Sequence, residues 1–363
     1  MIVVKAEMRF DHAPASRVYY IAKTLKTFDI SSTLLGIKSE SNDAIVESNG
    51  VIPLFNNVIG NIFLRIQLPF AVLRILQTKK IDYIILRNYD LIILFISTIL
   101  NKRIFYDFHG YSYKEQQLDG RFIRSKITMI QEKLMQRYSF KIIAISEEIY
   151  QQLPKKYHNK TLVLPNGVDL NLFKTVTEKE KVEIRRKHKI PENKKIVGIV
   201  GNHGRIHDTD TFLKSIKFLP KNVCLVVVGM KYSMKVSFDQ DSRLIQTGQL
   251  KHRDAIQLIY IMDICVAPYK VGGISSRKIR EYLAVGKPII MTDVPERETI
   301  FENGKHILLY KLGDPIDLAN KVKMLLNNEK LYNQMCENNL KLSKRFSWEN
   351  MVKKSTLLDF LIK

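Results

Sequence analysis

The sequence predicts an α/β protein with two doubly wound domains, each built on a parallel sheet covered by helices. Apolar runs of strand length alternate with helical patterns along the whole chain, and near-continuous apolar strands are typical of sheets buried on both faces. The alternation is interrupted once, at residues 174–195, by a stretch rich in Lys and Arg. The 363 residues, 45% of them hydrophobic, are enough for two domain cores.

The first domain is predicted to occupy residues 1–172. The strand "IVV" is followed by a helix that opens near Pro14 and repeats apolar side chains at helical spacing, and then by the run "ISSTLLGI". The runs "IDYIIL", "RIFYDF" and "KIIAIS" continue the series, with helical stretches between them.

A basic linker with a solvated helix is predicted at residues 173–195, because little in this segment could fill a core. Beyond it, the runs "KIVGIVG", "VCLVVVG", "DICVAPY" and "KPIIMTD" restart the alternation. This pattern predicts a second doubly wound domain over residues 196–345. We expect the remaining residues, 346–363, to form a helix that packs back toward the first domain.

Charge and cysteine content limit the class of function. The chain has 58 Lys plus Arg against 36 Asp plus Glu, a net charge of +22, which predicts an anionic partner. No basic stripe interleaved with aromatic residues points to nucleic acid. The three cysteines are widely spaced without a CxxC pair, so we expect a reducing, cytoplasmic compartment. The longest uncharged apolar stretch, residues 91–100, is shorter than the about 20 residues of a membrane-spanning helix.

The loop "GNHGR" follows the run "KIVGIV" and therefore lies where parallel sheets bind anions. Gly201 and Gly204 would let the backbone approach a phosphate, and Arg205 would neutralise it. An ordinary strand-to-helix turn explains this loop equally well.

The stretch "GGISSRKIREYLAVGKPII", residues 272–290, carries hydroxyls and Lys278 into a helix start. These groups suit a diphosphate, and Glu281, on the same helical face as Lys278, suits two ribose hydroxyls. A capped surface helix with an ion pair between the two residues would show the same spacing.

Several motifs together resemble one known family. They are "AISEEIYQQL" with "VLPNGVDLNLF", "TGQLKHRDAIQLIYIMDICVAPY", "EYLAVGKPIIMTDVPERETIFENGKHILLYKLGDP" and "FSWENM". These segments are similar to the retaining GT-B glycosyltransferases of family four, the group 1 type. The resemblance covers the whole chain and is dense from residue 140 onward. It implies two Rossmann-like domains that face an inter-domain cleft, with a nucleotide sugar held mainly by the C-terminal domain.

The resemblance also assigns candidate roles. It implies that Glu281 binds the ribose, that Leu250 meets the nucleobase, and that His109 in "YDFHGYSY" approaches the donor sugar. The candidate catalytic residues are His109, Arg205 and Lys278. The other donor-binding candidates are Gly201, Asn202, Ser275 and Ser276. The acceptor-side candidates on the loop "DHAPASR" are Asp11, Ser16 and Arg17.

The chain departs from the family pattern at three places. Gly273 stands where many members carry a second glutamate near the donor sugar. Asn202 and His207 occupy the positions of two cations that usually bind the diphosphate, and Arg205 and Lys278 are the residues that could replace them. The first loop has no glycine pair.

The expected function is retaining transfer of a sugar from a nucleoside diphosphate donor to an acceptor hydroxyl, on a polysaccharide or lipid-linked glycan. We expect neither a metal nor a cofactor, since no Asp-x-Asp pair is placed to hold a metal. Two alternatives stay open: a sugar-nucleotide-binding protein whose active site has decayed, and a GT-B sugar-nucleotide epimerase.

An anionic membrane surface is a further candidate partner, because residues 61–80 and 120–141 mix cations with large apolar side chains. Ordinary sheet-covering helices with snorkelling cations would explain these two segments as well.

Overall fold

A computed structural model of the protein divides into two compact units. The first comprises Met1–Asn166 together with Trp348–Lys363, and the second comprises Gly167–Ser347. The residues that the structure describes are 2–4, 13–37, 52–54, 70, 72–77, 80–87, 90–118, 120–201, 203–204, 206–229, 241–271, 275–295 and 297–362.

The first unit is built on a parallel sheet of seven described strands. They are β1 (Ile2–Val4), β2 (Thr33–Ile37), β3 (Ile52–Leu54), β4 (Tyr83–Leu86), β5 (Arg103–Phe108), β6 (Lys141–Ala144) and β7 (Thr161–Val163). Their order is β3-β2-β1-β4-β5-β6-β7, and every neighbouring pair is parallel. The order of the strands reverses between β1 and β4.

Five of the helices that the structure describes in this unit connect its strands. They are α1 (Ala13–Lys26), α2 (Leu91–Ile99), α3 (Ser112–Leu118), α4 (Phe122–Tyr138) and α5 (Glu147–Gln152). Helix α1 opens at the predicted position and buries Val18, Ile21 and Leu25, as their spacing of three and four residues requires. Asp90 caps α2, its carboxylate accepting from the backbone N–H groups of the first turn.

The second unit repeats the architecture with six described strands. They are β8 (Lys195–Val200), β9 (Val223–Val228), β10 (Leu244–Gly248), β11 (Ile264–Ala267), β12 (Ile289–Asp293) and β13 (Ile307–Lys311). Their order is β10-β9-β8-β11-β12-β13, again with parallel pairs throughout. The order reverses between β8 and β11, a point where α/β sheets bind ligands.

Helices α6 (Glu178–Lys187), α7 (Thr209–Lys214), α8 (His252–Ile261), α9 (Arg277–Val285), α10 (Pro315–Asn327) and α11 (Glu329–Ser343) belong to this unit. Helix α6 lies in the predicted basic linker. It begins with a capping box between Thr177 and Glu180 and buries a single side chain, Ile184, so most of its charge is solvated.

The C-terminal helices α12 (Trp348–Lys354) and α13 (Leu357–Leu361) pack within the first unit. The indole ring of Trp348 stacks on Tyr20 of α1 with 5.7 Å between ring centroids. Phe360 meets Phe105 and Phe140 edge-on. Across the described part of the chain, the helices are too short or too polar to traverse a bilayer.

Candidate functional site

The second unit gathers several predicted site residues at the carboxyl ends of β8 and β11. Val200 closes β8 by donating its backbone N–H to the hydroxyl of Tyr282 on α9, at 2.9 Å. This bond holds the end of β8 against the helix that carries Lys278. Gly201 follows with φ of +125°, and a Cβ on it would lie 3.6 Å from the Lys278 Nζ. The loop after β8 and the start of α9 therefore meet.

Close backbone approach fixes this loop from its other side. Gly229, just after β9, has φ of +92°, and a Cβ there would come within 2.5 Å of the Gly201 carbonyl oxygen. Any side chain at this position would displace the loop, so glycine is required by space as well as by conformation.

Lys278 is a buried cation that lacks a conventional partner. Its Nζ is shielded from solvent and forms no hydrogen bond with any residue that the structure describes. It lies 4.8 Å from the centroid of the Tyr269 ring. Burial lowers the pKa of Lys278 to about 7, while Glu281 opposes that shift. A buried ammonium group is costly unless an anion neutralises it, so this position fits a negatively charged ligand.

Two histidines stand beside Lys278. The ring of His203 lies 6.2 Å from that of His207, and its Nε2 bonds to the Val228 carbonyl oxygen at 3.0 Å. Burial and the Lys278 charge lower the pKa of His203 to about 4 and that of His207 to about 3. The Nδ1 atoms of both rings are buried without a hydrogen-bond partner among the described residues. An unprotonated ring nitrogen of this kind can accept a proton, or a hydrogen bond from a ligand hydroxyl group.

Neither histidine was predicted from the sequence to be functional, although His207 stands where the family pattern has a cation. The available signal was their position in the loop "GNHGRIH" directly after a buried strand. A histidine in such a loop is common, so the pattern alone did not separate them from ordinary loop residues.

Glu281 lies one turn after Lys278 and is held by two donors. Its Oε1 accepts from His252 Nε2 at 2.8 Å and pairs with Arg277 Nε at 3.1 Å. Burial favours the neutral acid, but Arg277 and the His252 hydrogen bond outweigh it and lower the pKa of Glu281. The carboxylate is therefore ionised and oriented, as a group that accepts hydrogen bonds must be. The alternative explanation of this stretch, a surface helix with an ion pair between Lys278 and Glu281, does not fit: Glu281 is buried, and the contacts of the described residues include no such pair.

The remaining predicted donor residues in this unit lie close by. Ser275 and Ser276 are buried at the N-terminus of α9, and the Ser276 hydroxyl bonds to the Tyr269 hydroxyl at 2.5 Å. Leu250 is half-buried after β10, two residues before His252. His252 in turn contacts Glu281, the carboxylate that is expected to bind ribose.

His109 belongs to a buried polar cluster in the first unit. Its Nε2 lies 2.9 Å from Asp107 Oδ2, and its Nδ1 lies 3.2 Å from an NH2 nitrogen of Arg87. Since arginine only donates and an ionised carboxylate only accepts, Nε2 carries the proton and Nδ1 accepts. Burial and the Arg87 charge lower the pKa of His109 to about 4, against the opposing effect of Asp107. The imidazole is neutral at pH 7 and both of its nitrogens are engaged.

Arg17 organises the same cluster from α1. It is 1% exposed and donates to both carboxylate oxygens of Asp107, to the Asn166 amide oxygen and to the Leu164 carbonyl oxygen. Burial opposes ionisation of Asp107, but Arg17 and His109 outweigh it and hold the pKa of that carboxyl well below its usual range.

The expected acceptor-side role of Arg17 is corrected by this geometry. Its guanidinium is enclosed by protein acceptors and reaches no solvent-facing surface, so it supports the "PNGVD" segment rather than a substrate. Asp11, Asn202 and Arg205 lie outside the described residues, as does the side chain of Ser16. Their predicted roles stay predictions.

The described residues hold no group of three or more His, Cys, Asp and Glu side chains arranged for a metal ion. At the start of α9 the described residues instead include a shielded amine, that of Lys278, and an oriented carboxylate, that of Glu281. This pair suits a ligand that combines phosphate with hydroxyl groups.

Two family models match the chain, one on each side of residue 175. The model described as "Glycosyltransferase Family 4" matches residues 15–172. The model described as "Glycosyl transferases group 1" matches residues 180–342.

Two curated proteins show the similarity at the level of sequence. The chain is 28% identical over 218 residues to an uncharacterized glycosyltransferase of Methanocaldococcus jannaschii, covering 59% of this chain and 57% of that protein. It is 26% identical over 246 residues to the capsular polysaccharide biosynthesis glycosyltransferase CapM of Staphylococcus aureus, covering 62% and 63% respectively. The chain thus spans less than two thirds of the length of either relative.

The fold is shared with solved structures. Anabaena HepE, crystallised in complex with UDP and glucose, is similar with a TM-score of 0.79 at 16% identity, over 100% of this chain and 99% of that chain. At this identity the likeness shows the fold alone.

Proposed function

Since the chain belongs to the GT-B glycosyltransferases of family four, the group 1 type, we propose that it transfers a sugar from a nucleoside diphosphate donor to an acceptor hydroxyl group. The observation that carries this proposal is the buried Nζ of Lys278, which has no hydrogen-bond partner among the described residues. It lies beside Gly201, one helical turn from the oriented Glu281 carboxylate. A nucleoside diphosphate supplies both the anion and the ribose hydroxyls that these two groups require.

The donor that we propose first is a uridine diphosphate hexose. One solved structure of Anabaena HepE contains UDP and glucose, and a second structure of the same protein contains UDP-glucose. Leu250, two residues before α8, is proposed to meet the base, and His252, the first residue of α8, to hold in place the Glu281 carboxylate that binds the ribose.

The reaction that we propose retains the configuration at the anomeric carbon. The bond between that carbon and the diphosphate oxygen breaks, and the acceptor oxygen forms its bond on the same face of the sugar. The acceptor proton passes to an oxygen of the leaving diphosphate. Lys278 and the N-terminus of α9 would stabilise the charge that grows on that group, so that neither a metal nor a cofactor is needed.

His109 is not proposed as a general base. A base needs a free lone pair, and the only unprotonated ring nitrogen of His109 already accepts from Arg87. We keep for His109 the role that the resemblance implies, which is to orient the donor sugar, with Asp107 and Arg87 as the residues that fix its tautomer.

The acceptor is proposed to be a growing glycan, on a polysaccharide or on a lipid carrier. The name of CapM associates that relative with capsular polysaccharide biosynthesis, and a solved neighbour, WaaG, is described as involved in lipopolysaccharide biosynthesis.

Calorimetry with UDP, GDP and ADP, followed by hydrolysis assays of UDP-hexoses with and without EDTA, tests the proposal. We expect UDP to bind most tightly and slow, EDTA-resistant release of the hexose. Failure of all three nucleotides to bind would refute the donor assignment. Tight UDP binding without hydrolysis or transfer would favour the decayed binding protein, which the Gly273 position keeps open. Conversion of the bound hexose to an epimer would favour the epimerase.

A further inference from the structure

Helix α4 turns its large apolar side chains away from the body of the protein. Ile123, Ile127 and Ile130 are 81%, 55% and 55% exposed, and their spacing of four and three residues places them on one face. The side chains that α4 buries are mostly polar: Ser125, Thr128, Glu132, Met135 and Gln136.

Hydrogen bonds to α3 explain why the polar face is the buried one. The Glu132 carboxylate accepts from the Ser112 backbone N–H at 2.9 Å. The Ser125 hydroxyl donates to the Tyr113 carbonyl oxygen at 2.9 Å. Polar groups that form hydrogen bonds such as these can be buried at little cost. The exposed isoleucines have no comparable contacts among the described residues that would explain why their apolar side chains face water. The usual amphipathic arrangement of a sheet-covering helix is thus reversed.

The neighbouring helix α2, which packs against α4, presents a similar surface. Ile92, Phe95 and Ile99 are all more than half exposed, and only Asp90, at the N-cap, brings a carboxylate to this helix. We call the six side chains of the two helices the outward apolar face: Ile92, Phe95, Ile99, Ile123, Ile127 and Ile130. Large exposed apolar surfaces on a protein mark sites of interaction.

Cations border the outward apolar face along α4, where the structure describes no exposed acid. The exposed charged side chains at and along α4 are all basic: Arg121, Arg124, Lys126, Lys133 and Arg137. The single acidic residue of α4 is the buried Glu132. On the helix, Lys126, Lys133 and Arg137 fall on one flank of the isoleucine stripe and Arg124 falls on the other.

The segment 72–77 belongs to residues 61–80, the other stretch that mixes cations with large apolar side chains. Most of its apolar side chains are buried, unlike the isoleucines of α4. It is helical and buries Val72, Ile75 and Leu76, as an ordinary sheet-covering helix does. Residues 61–69 of that stretch lie outside the described part of the chain.

We propose that the outward apolar face docks on an anionic membrane surface, with α2 and α4 lying in the headgroup region. An interfacial helix combines apolar side chains that enter the acyl boundary with cations that pair with anionic headgroups. A second copy of the chain fits less well, because a two-fold contact would place the same basic border against itself. The proposal does not depend on the donor chemistry of the second unit.

Flotation of the full chain with vesicles tests this docking. The protein should float at low salt with vesicles of phosphatidylcholine and phosphatidylglycerol, and not with phosphatidylcholine alone. Binding should weaken as salt screens the headgroup charge. Replacing Lys126 and Lys133 by Gln should lower the partition coefficient about fivefold for each cation removed.

The apolar contribution is tested with a matched pair of variants. Ile123→Glu with Ile127→Glu should lower partitioning at least about tenfold, since two apolar side chains lose their place in the acyl boundary. The control is Ile316→Glu with Met324→Glu on α10, where the side chains are 51% and 46% exposed. It makes the same charge change and should float like the wild type. UDP affinity should be unaltered in all three double variants, which separates this test from that of the donor site.

Three outcomes would overturn the proposal. In the first, the wild-type chain does not float with anionic vesicles at low salt. In the second, the Ile123/Ile127 and Ile316/Met324 double substitutions to Glu weaken flotation equally, so that net charge alone is responsible. In the third, sedimentation velocity shows a dimer that the Ile123 and Ile127 substitutions dissociate, without vesicle binding, and the face then belongs to a second copy.

Discussion

Lys278 should make UDP binding depend on pH, because its amine loses its charge near neutrality in the free protein. Burial lowers the pKa of Lys278 to about 7, and its Nζ lacks a hydrogen-bond partner among the described residues. A diphosphate beside this atom would supply a negative charge and raise the pKa again. Binding above pH 7 should therefore take up about one proton per ligand.

The magnitude follows from the fraction of the amine that is protonated before binding. With a pKa of about 7, about half is protonated at pH 7 and about one in a hundred at pH 9. The Kd for UDP should thus rise about fivefold from pH 7 to 8 and about fiftyfold from pH 7 to 9. Affinity is full below pH 7 and is lost as pH rises. Working above pH 7 keeps the terminal phosphate ionised, because its second pKa is about 6.

Calorimetry across this pH range, in two buffers of different ionisation enthalpy, measures both the affinity and the proton uptake. Lys278→Arg should flatten the dependence, because the guanidinium stays charged. Lys214→Arg, on the exposed surface of α7, is the matched control and should keep the wild-type slope. If Lys278→Arg shows the same slope as the wild type, Lys278 is not the titrating group and the reasoning is wrong.

Three further substitutions test other contacts: the first two separate binding from folding, and the third probes the first unit. Glu281→Gln should weaken UDP binding about 10- to 150-fold, the cost of a charge-assisted hydrogen bond. Glu298→Gln, beside the fully buried Arg280, should instead lower the free energy of unfolding by about 3–5 kcal/mol and leave UDP affinity unaltered. Calorimetry measures the affinity and urea denaturation the stability. A loss of stability in Glu281→Gln with a loss of affinity in Glu298→Gln would contradict both assignments. Arg87→Met should raise the pKa of His109 from about 4 toward its ordinary value, although burial continues to lower it. An unchanged imidazole titration by NMR would exclude Arg87 as a cause.

The pattern of predicted strands has a physical explanation. The interior strands are near-continuous apolar runs, and their pattern predicts them, because both faces of a central parallel strand are buried. The four strands that the pattern does not single out are β3, β7, β10 and β13, which are the outer strands of the two described sheets. Edge strands bury less, and they tolerate residues such as Pro53 in β3 that a central strand excludes.

Some contacts of the candidate site also follow from local spacing in the sequence, and others do not. Lys278 and Glu281 lie three residues apart, so helix geometry alone places them on one face. The partners of Glu281 did not follow from spacing: Arg277 is local, but His252 reaches it from another helix. Arg17 was wrongly expected on the acceptor side, because no local pattern reveals that Asp107, 90 residues away, would enclose its guanidinium.

The sequence by itself determined the α/β class, the two sheets and the motifs of the donor loops, because these depend on patterns within short segments. Only the tertiary structure decided which charges are buried and which apolar faces are left uncovered. The lowered pKa of Lys278 arises from burial by other segments, and the reversed burial of α4 depends on its hydrogen bonds to α3. Burial is the sum of such contacts, and one segment read alone does not contain it.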